Sequence, residues 1–315
     1  MKTIFPKIPD ETRLTMLRLP DGPVDAVLDT DTYNEIDDQF AVAYTLLSPE
    51  RIRLKAIYAA PFSNENSTGP KDGMEKSYEE LQRLLALMDI PEEGLLHKGS
   101  SCFLPDYFDY DIPVESDAAR DLVKQAMAHD SAHPLYVMAI GAVTNVVSAM
   151  LTAPEIIDRI VVIWLGGHAH YWDNAQEFNL MQDLAASQVL FDSGVPLIQL
   201  PCFGVVDHLV MPTAETQAYL AGDGGLGDFL HNRVTACFAN PRGRSRVIWD
   251  ISAPAILAQP EAVKTDLRPT PWISDEGRYS FDSSRPLMRC LTHIDRDAVF
   301  GRFFSFFPQK GGSHD

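Results

Sequence analysis

The chain has 315 residues, 45% of them hydrophobic and 22% charged, the balance of a globular protein with a sizeable core to bury. Its formal net charge of −18, from 44 acidic against 26 basic residues, argues against nucleic acid or an anionic membrane surface as a partner. No apolar run approaches the roughly 18 residues of a membrane span, and the proline-broken N-terminus lacks a leader-like apolar stretch. The expected setting is therefore cytoplasmic. Cys102, Cys202, Cys237 and Cys290 are widely spaced with no C-x-x-C pair, so they read as free thiols rather than a disulfide framework or a zinc site.

Residues 1–23 read as an arm with a short helical turn before Pro20. An apolar run at 24–28 (Val24, Ala26, Val27, Leu28) suits a buried parallel strand. Asp29 and Asp31 stand at its carboxyl end, and Asp37 and Asp38 open a helix carried by Phe40, Ala41, Ala43, Tyr44 and Leu47. A second strand at 54–60 ends in a polar loop at 61–70, and Leu81, Leu84, Leu85 and Met88 mark an amphipathic helix. A short strand at 95–97, an aromatic loop at 103–110 and a helix at 118–129 follow. Strands at 135–140, 160–165 and 195–200 alternate with helices at 143–151 and 184–191. The glycine-dense stretch 221–227 reads as a hinge beside a helix, because neither a feeding strand nor a following Lys-Ser/Thr supports a phosphate loop. A hairpin over 263–281 with its turn at 275–277, and a helix at 295–306, close the chain. This alternation predicts an α/β fold with an open, mostly parallel sheet flanked by helices, in one domain spanning residues 1–315.

Four carboxylates within ten residues, at a strand-to-helix handover, repel one another and lose hydration unless a cation sits among them. Asp37 and Asp38 by themselves suit a helix N-terminus. Asp29 and Asp31, at the strand end, do not have that explanation. A hard divalent cation with oxygen ligands, Ca²⁺ or Mg²⁺, accounts for all four. In an open α/β sheet that carboxyl edge is also where ligands bind.

Farther along, Glu177 and Asn179 alternate in an extended segment and point the same way. A carboxylate beside an amide is equipment for gripping sugar hydroxyls. Asp183, just before Leu184-Ala185-Ala186, reads as a helix N-cap.

The run Asp29-Thr-Asp-Thr-Tyr-Asn-Glu-Ile-Asp-Asp-Gln-Phe-Ala41 resembles the aspartate signature D-x-D-P-G-x-D-D-A-x-A of the inosine–uridine-type nucleoside hydrolases. It departs from it where the Pro-Gly turn is replaced by Thr32-Tyr33-Asn34-Glu35, two residues longer. Residues 140–145 resemble the family's G-P-L-T-N turn, and Glu177-Phe178-Asn179 with Asp183 its sugar-binding segment. Asp250 stands where the family has its last metal-ligand aspartate. Trp249 occupies the place of a histidine that usually protonates the leaving base, and indole cannot act as that acid.

The resemblance implies a nucleoside hydrolase fold and a Ca²⁺ site formed by Asp31, Asp38, Asp250 and the Thr144 carbonyl. It implies Asp31 as the base that deprotonates water, and Asp37, Asn64, Asn174, Glu177 and Asn179 as sugar-binding residues. The substrate would be a small-molecule ribonucleoside cleaved to base and ribose, and the assembly a homo-oligomer, a dimer or tetramer. For Trp249 three readings stand open. It stacks on a base; or His170 or its neighbour His168 supplies the proton instead; or the chain has left the family's chemistry. A hydrolase of another ribosyl or N-glycosyl compound, and a non-catalytic calcium and sugar binder, are the rival functions.

Overall fold

The computed structural model describes residues 4–105, 112–222 and 224–308. The first half runs α1 (Asp10–Met16), β1 (Val24–Thr30), α2 (Asp38–Leu46), β2 (Ile52–Ala59), α3 (Pro70–Leu87), β3 (Leu96–Lys98), α4 (Asp117–Met127), β4 (Leu135–Ala139), α5 (Thr144–Thr152) and β5 (Ile160–Leu165). The second half continues with α6 (Phe178–Gln182), α7 (Leu184–Asp192), β6 (Leu197–Leu200), β7 (Val210–Pro212), α8 (Thr213–Tyr219), α9 (Leu226–Ala236), β8 (Ser245–Val247) and α10 (Ser252–Ala258). It ends with β9 (Val263–Pro269), β10 (Trp272–Ile273), β11 (Tyr279–Ser280), β12 (Leu287–Ile294) and α11 (Arg296–Ser305). The aromatic loop expected at 103–110 lies partly outside the described residues.

Eight strands form the main sheet in the order β3-β2-β1-β4-β5-β6-β12-β9. All neighbours pair in parallel except β12 with β9. The expected open, mostly parallel sheet flanked by helices is observed.

The near-continuous apolar strands follow from burial on both faces. Along β5, Val161, Ile163 and Leu165 join one core, and Ile160, Val162 and Trp164 the other. β1 divides in the same way, with Ala26 and Leu28 on one side and Val27 on the other, as a two-residue side-chain period requires. The first core is capped by α2, α3, α10 and α11 through Phe40, Leu84, Ile256 and Phe303, the second by α4, α5 and α7 through Leu122, Val147 and Leu190.

β1 is the pivot. Its neighbours are β2, which leads outward to β3, and β4, which leads outward to β5 and β6. The strand order therefore reverses between β1 and β4, and a crevice opens at their carboxyl ends, the place where open α/β sheets hold ligands.

Several elements differ from expectation. The hairpin is confined to β10 and β11, around a turn in which the Gly277 N–H donates to the Ser274 carbonyl at 2.9 Å. β9 instead joins the main sheet against β12. β12 escapes a reading by alternation because Arg289, Thr292 and His293 interrupt its apolar pattern while Met288, Cys290, Leu291 and Ile294 are buried. The helix expected around Leu81–Met88 begins earlier, with Pro70 in its first turn, where a missing N–H costs nothing. The glycine-dense stretch leads into α9, and Asp228 Oδ2 accepts from the Gly224 N–H at 2.9 Å. All four cysteines are free. Among the described residues no helix is long and apolar enough to cross a membrane.

Candidate active site

The crevice between β1 and β4 collects the carboxylates. Asp29 and Asp31 leave the end of β1 and are fully buried. The lengthened turn at 32–36 then carries the chain to Asp37 and Asp38 at the start of α2, and it is pinned by the Asn34 N–H donating to the Asp31 carbonyl at 2.7 Å. Asp250 arrives from just before α10. Carboxylate oxygens of Asp37, Asp38 and Asp250 all lie within 4.8 Å of one another, and all three residues are buried.

Asn145, in the first turn of α5, ties three strand ends together. Its Nδ2 donates to Asp29 Oδ1 at 2.8 Å and to the Ala59 carbonyl at 3.3 Å, while its Oδ1 accepts from the Ser100 N–H and hydroxyl at 2.7 and 2.8 Å. Gly141, after β4, lies against Asp31. A Cβ there would meet Asp31 Cγ and Oδ1 at 2.9 Å, closer than side-chain carbons pack, so only glycine lets the turn and the carboxylate share this space.

Electrostatics follow from burial without compensating cations. Burial, then Asp38 and Asp37, push the Asp31 carboxyl well above the usual range. Burial, then Asp37 and Asp38, do the same for Asp250. Asp38 is pushed to about 6 by burial, against a 2.5 Å hydrogen bond from the Thr30 hydroxyl. Burial takes Asp29 to about 7, opposed by Asn145. Both oxygens of Asp31 are buried without a hydrogen-bond partner.

Oxygen-only donors, mutual repulsion and two orphaned acceptors fit a hard divalent cation. The sequence-expected ligands Asp38 and Asp250 come together here, with Asp37, expected on the sugar, beside them. Asp31 stands next to this group and is felt electrostatically by it. Thr144 is the first residue of α5, its hydroxyl donating to Asp183 Oδ2 at 2.6 Å.

A cavity of about 210 Å³ opens over Asp37 and Asp250. Glu177, Asn179, His168, Cys202, Phe178, Phe203, Trp249, Asn34 and Glu35 are among the residues lining it. Trp249 meets Phe203 edge-on, with centroids 5.5 Å apart at 85°, and Trp172 stacks behind Phe203 at 5.8 Å and 21°. Glu177 caps α6: Oε1 accepts from the Asn179 N–H, and Oε2 from the Leu180 and Gly167 N–H groups. Asn179 spends its amide Nδ2 on the carbonyls of Ile140 and Leu165 at 3.1 and 3.0 Å, leaving Oδ1 as an acceptor. Asp183 caps α7 through the Ala186 N–H, as its position predicts.

Three expected site residues stand elsewhere. Asn64 does not line the cavity; its amide holds Asn34 Oδ1 at 2.6 Å, so it supports the lengthened turn that does. Asn174 folds back to accept from the Gln176 N–H at 2.9 Å. His170 is also outside the cavity. Its ring packs on Tyr279 and Phe281, and its Nε2 meets Gln199 Oε1 at 2.9 Å. Burial lowers its pKa to about 4. The structure therefore corrects the choice of imidazole: His168 lines the cavity and His170 turns away.

Phe203, Cys202 and the Glu35–Arg246 ion pair at the rim were not anticipated. Pro201-Cys202-Phe203 follows directly from β6, so the carboxyl-edge rule that drew attention to Asp29 would have found two of them.

Residues 26–301 match the family described as inosine-uridine preferring nucleoside hydrolase. The chain belongs to this nucleoside hydrolase family. A pyrimidine-specific ribonucleoside hydrolase, RihA, of Salmonella typhimurium is 28% identical over 182 residues, covering 51% of this chain and 55% of the relative. The matched part thus spans about half the length of that relative. A purine-preferring ribonucleoside hydrolase from Gardnerella vaginalis superposes with a TM-score of 0.70 at 22% identity, over 90% of this chain and 97% of the other. An inosine-uridine preferring nucleoside hydrolase from Bacillus anthracis superposes with a TM-score of 0.62 at 13% identity, over 90% and 98%. At these identities the structural likeness shows the shared nucleoside hydrolase fold.

Proposed function

We propose that this nucleoside hydrolase family member is a Ca²⁺-dependent hydrolase of the N-glycosidic bond of ribosides. The observation that carries the reading is the carboxylate cluster: Asp37, Asp38 and Asp250 converge, Asp37 and Asp250 line an aromatic cavity, and the neighbouring Asp31 is buried with two unpartnered oxygens.

Asp31, Asp38 and Asp250 would hold the cation, with Asp37 beside them and the Thr144 carbonyl completing the set. Bound there, it supplies charge neutralisation and Lewis acidity at the carboxylate cluster. Asp31 takes the proton of the attacking water on a carboxylate oxygen. Asp37, oriented by the Trp249 main-chain N–H, and Asn179, through Oδ1, accept hydrogen bonds from ribose hydroxyls. Glu177 stands near the 5′ end of the sugar with its rotamer locked by three main-chain N–H groups. As the glycosidic bond lengthens, positive charge grows on the sugar, and the surrounding carboxylates stabilise it.

A ribose-release assay on purine and pyrimidine ribonucleosides, with calcium and with chelator, tests the reading on the native protein and on Asp31→Asn. Turnover that vanishes with chelator and with the variant supports it. Tight calcium and ribose binding without any turnover would instead favour the binder. A homo-oligomer, dimer or tetramer, belongs to the same reading, and sedimentation velocity checks it.

A further inference from the structure

The lengthened turn is gripped residue by residue. The Thr32 carbonyl receives Gln39 Nε2 at 2.8 Å, the Arg233 guanidinium lies 5.5 Å from the centre of the Tyr33 ring, and Glu35 pairs with Arg246. Asn34, between them, is held by two asparagines of the polar loop after β2. Its carbonyl accepts from Asn66 Nδ2 at 2.9 Å, its Oδ1 from Asn64 Nδ2 at 2.6 Å, and its own N–H goes to the Asp31 carbonyl. The orientation of the Asn34 amide is set one step farther away. The Asn66 N–H donates to Asn64 Oδ1 at 2.8 Å, so the end of the Asn64 amide that faces Asn34 is its Nδ2. Asn34 must answer with Oδ1, which turns its Nδ2 the other way.

That Nδ2 has no hydrogen-bond partner among the described residues. Asn34 is only 9% exposed, and it lines the cavity. A buried amide with its donors unspent costs stability unless a ligand takes them up. The groups around it are mostly acceptors: the carboxylates of Glu35, Asp37 and Asp250, and the free Oδ1 of Asn179. A hydroxyl has one proton to give and two lone pairs to fill. Once its proton has gone to a carboxylate, its oxygen calls for a donor. The position of Asn34 also separates sugar from base. Phe203 gathers Trp249 and His168 on the aromatic side of the cavity, with ring centroids 5.5 and 4.8 Å away. Asn34 belongs to the carboxylate side, bonded to Asp31 and in the turn that leads to Asp37.

We propose that Asn34 is a sugar-binding residue, donating through Nδ2 to the oxygen of a ribose hydroxyl, and that Asn64 is its positioning residue. The inference rests on the riboside hydrolase reading above and adds to it a contact carried by the lengthened turn itself. Asn64 thus acts on the sugar through Asn34, which explains why it stands outside the cavity.

The test uses two variants and two readouts, with calcium present. Asn34→Leu removes the donor. Asn64→Asp keeps a hydrogen bond between positions 64 and 34 but reverses it: a carboxylate now faces Asn34, whose amide must turn its Nδ2 away from the cavity. The readouts are the dissociation constant of ribose itself, by calorimetric titration, and KM with kcat for uridine and inosine. Both variants should weaken ribose binding and raise KM by about threefold to tenfold, the worth of one hydrogen bond. A contact made alike in ground and transition states leaves kcat little changed. Melting temperature and calcium affinity show that the fold and the carboxylate cluster are intact. A merely structural Asn64 would be satisfied by Asp, because the hydrogen bond to Asn34 is retained.

Ribose binding that stays within about twofold of wild type in Asn34→Leu overturns the contact. A raised KM with ribose binding unchanged places the contact on the base and overturns it as well. Native-like behaviour of Asn64→Asp overturns the positioning role. If the wild type binds ribose but cleaves no riboside, the hydrolase reading falls while ribose affinity still decides the role of Asn34. If it neither cleaves ribosides nor binds ribose, both are overturned.

Discussion

The main-chain N–H of Trp249 donates to Asp37 Oδ2 at 3.1 Å, joining the two places where the chain departs from its family's pattern. Asp37 follows the lengthened turn, and Trp249 replaces the expected histidine. Because the bond comes from the backbone, it survives any side chain at 249, so the position is free to vary in chemistry without loosening the carboxylate cluster.

Trp249→His should therefore fold normally and keep its calcium affinity. With an imidazole at the cavity mouth, kcat for uridine or inosine is expected to rise by about tenfold or more, part of the usual general-acid contribution. A variant with unchanged kcat for both, measured across about pH 5 to 8, would show that the position does not act on the leaving group.

Gly141→Ala places a methyl 2.9 Å from Asp31 Cγ and Oδ1. Either the turn after β4 or the carboxylate must move. A displacement of about 1 Å at a catalytic group costs on the order of 100-fold. The prediction is a fall of that size in kcat and a weaker calcium affinity, measured by turnover and by calorimetric titration. Native-like activity would place the base elsewhere than Asp31.

Glu80 is 1% exposed and receives Arg83 Nη1 at 2.9 Å, Gln39 Nε2 at 3.2 Å and the Arg233 guanidinium of α9. The Gln39 amide also holds the Thr32 carbonyl at 2.8 Å, and Arg233 lies 5.5 Å from the centre of the Tyr33 ring. One buried carboxylate thus links α3, α9 and the lengthened turn. Glu80→Ala leaves this network uncompensated and should cost about 3 kcal/mol of stability, read from urea denaturation.

The exposed Glu35–Arg246 pair behaves differently. At 46% and 33% side-chain exposure, it contributes about 1 kcal/mol or less to stability. Arg246→Ala should leave the melting temperature almost unchanged and raise KM severalfold, because it frees the cavity rim. A large fall in kcat at unchanged KM would contradict this.

Asp29 has its pKa raised to about 7 by burial, whereas the unfolded chain titrates it near 3.9. Between those values the native state binds the extra proton, so this group's contribution to stability falls as pH rises and levels off above about 7. Asp29→Asn removes the titration and preserves an acceptor for Asn145. In metal-free protein, the melting temperature of the variant relative to wild type should increase from about pH 5 to pH 8. The difference cancels the opposite slope from His170, whose pKa is lowered to about 4. A flat difference would mean that Asp29 is ionised throughout.

Much of the molecule is legible from local pattern. Runs such as 160–165 alternate between two cores, so their apolar continuity announces parallel strands before any contact is known. Asp29, Asp31, Asp37 and Asp38 at a strand-to-helix handover locate the site, since so many charges have no other economical reason to sit together. Asp183 before an apolar helix announces a cap.

What only the tertiary structure decided is which side chains meet. Asp250 lies more than 200 residues from Asp38, and only the placement of α10 over the carboxyl edge brings its carboxylate to the cluster. His168 and His170 are indistinguishable in sequence. The loop after β5 turns one ring into the cavity beside Phe203 and the other onto Tyr279 and Phe281. β12 enters the sheet between β6 and β9 despite its polar residues, and there Met288, Cys290, Leu291 and Ile294 are buried. Local spacing specifies an element and its face; the partner of that face is chosen by the packing of the whole sheet, and the active site is made of such partners.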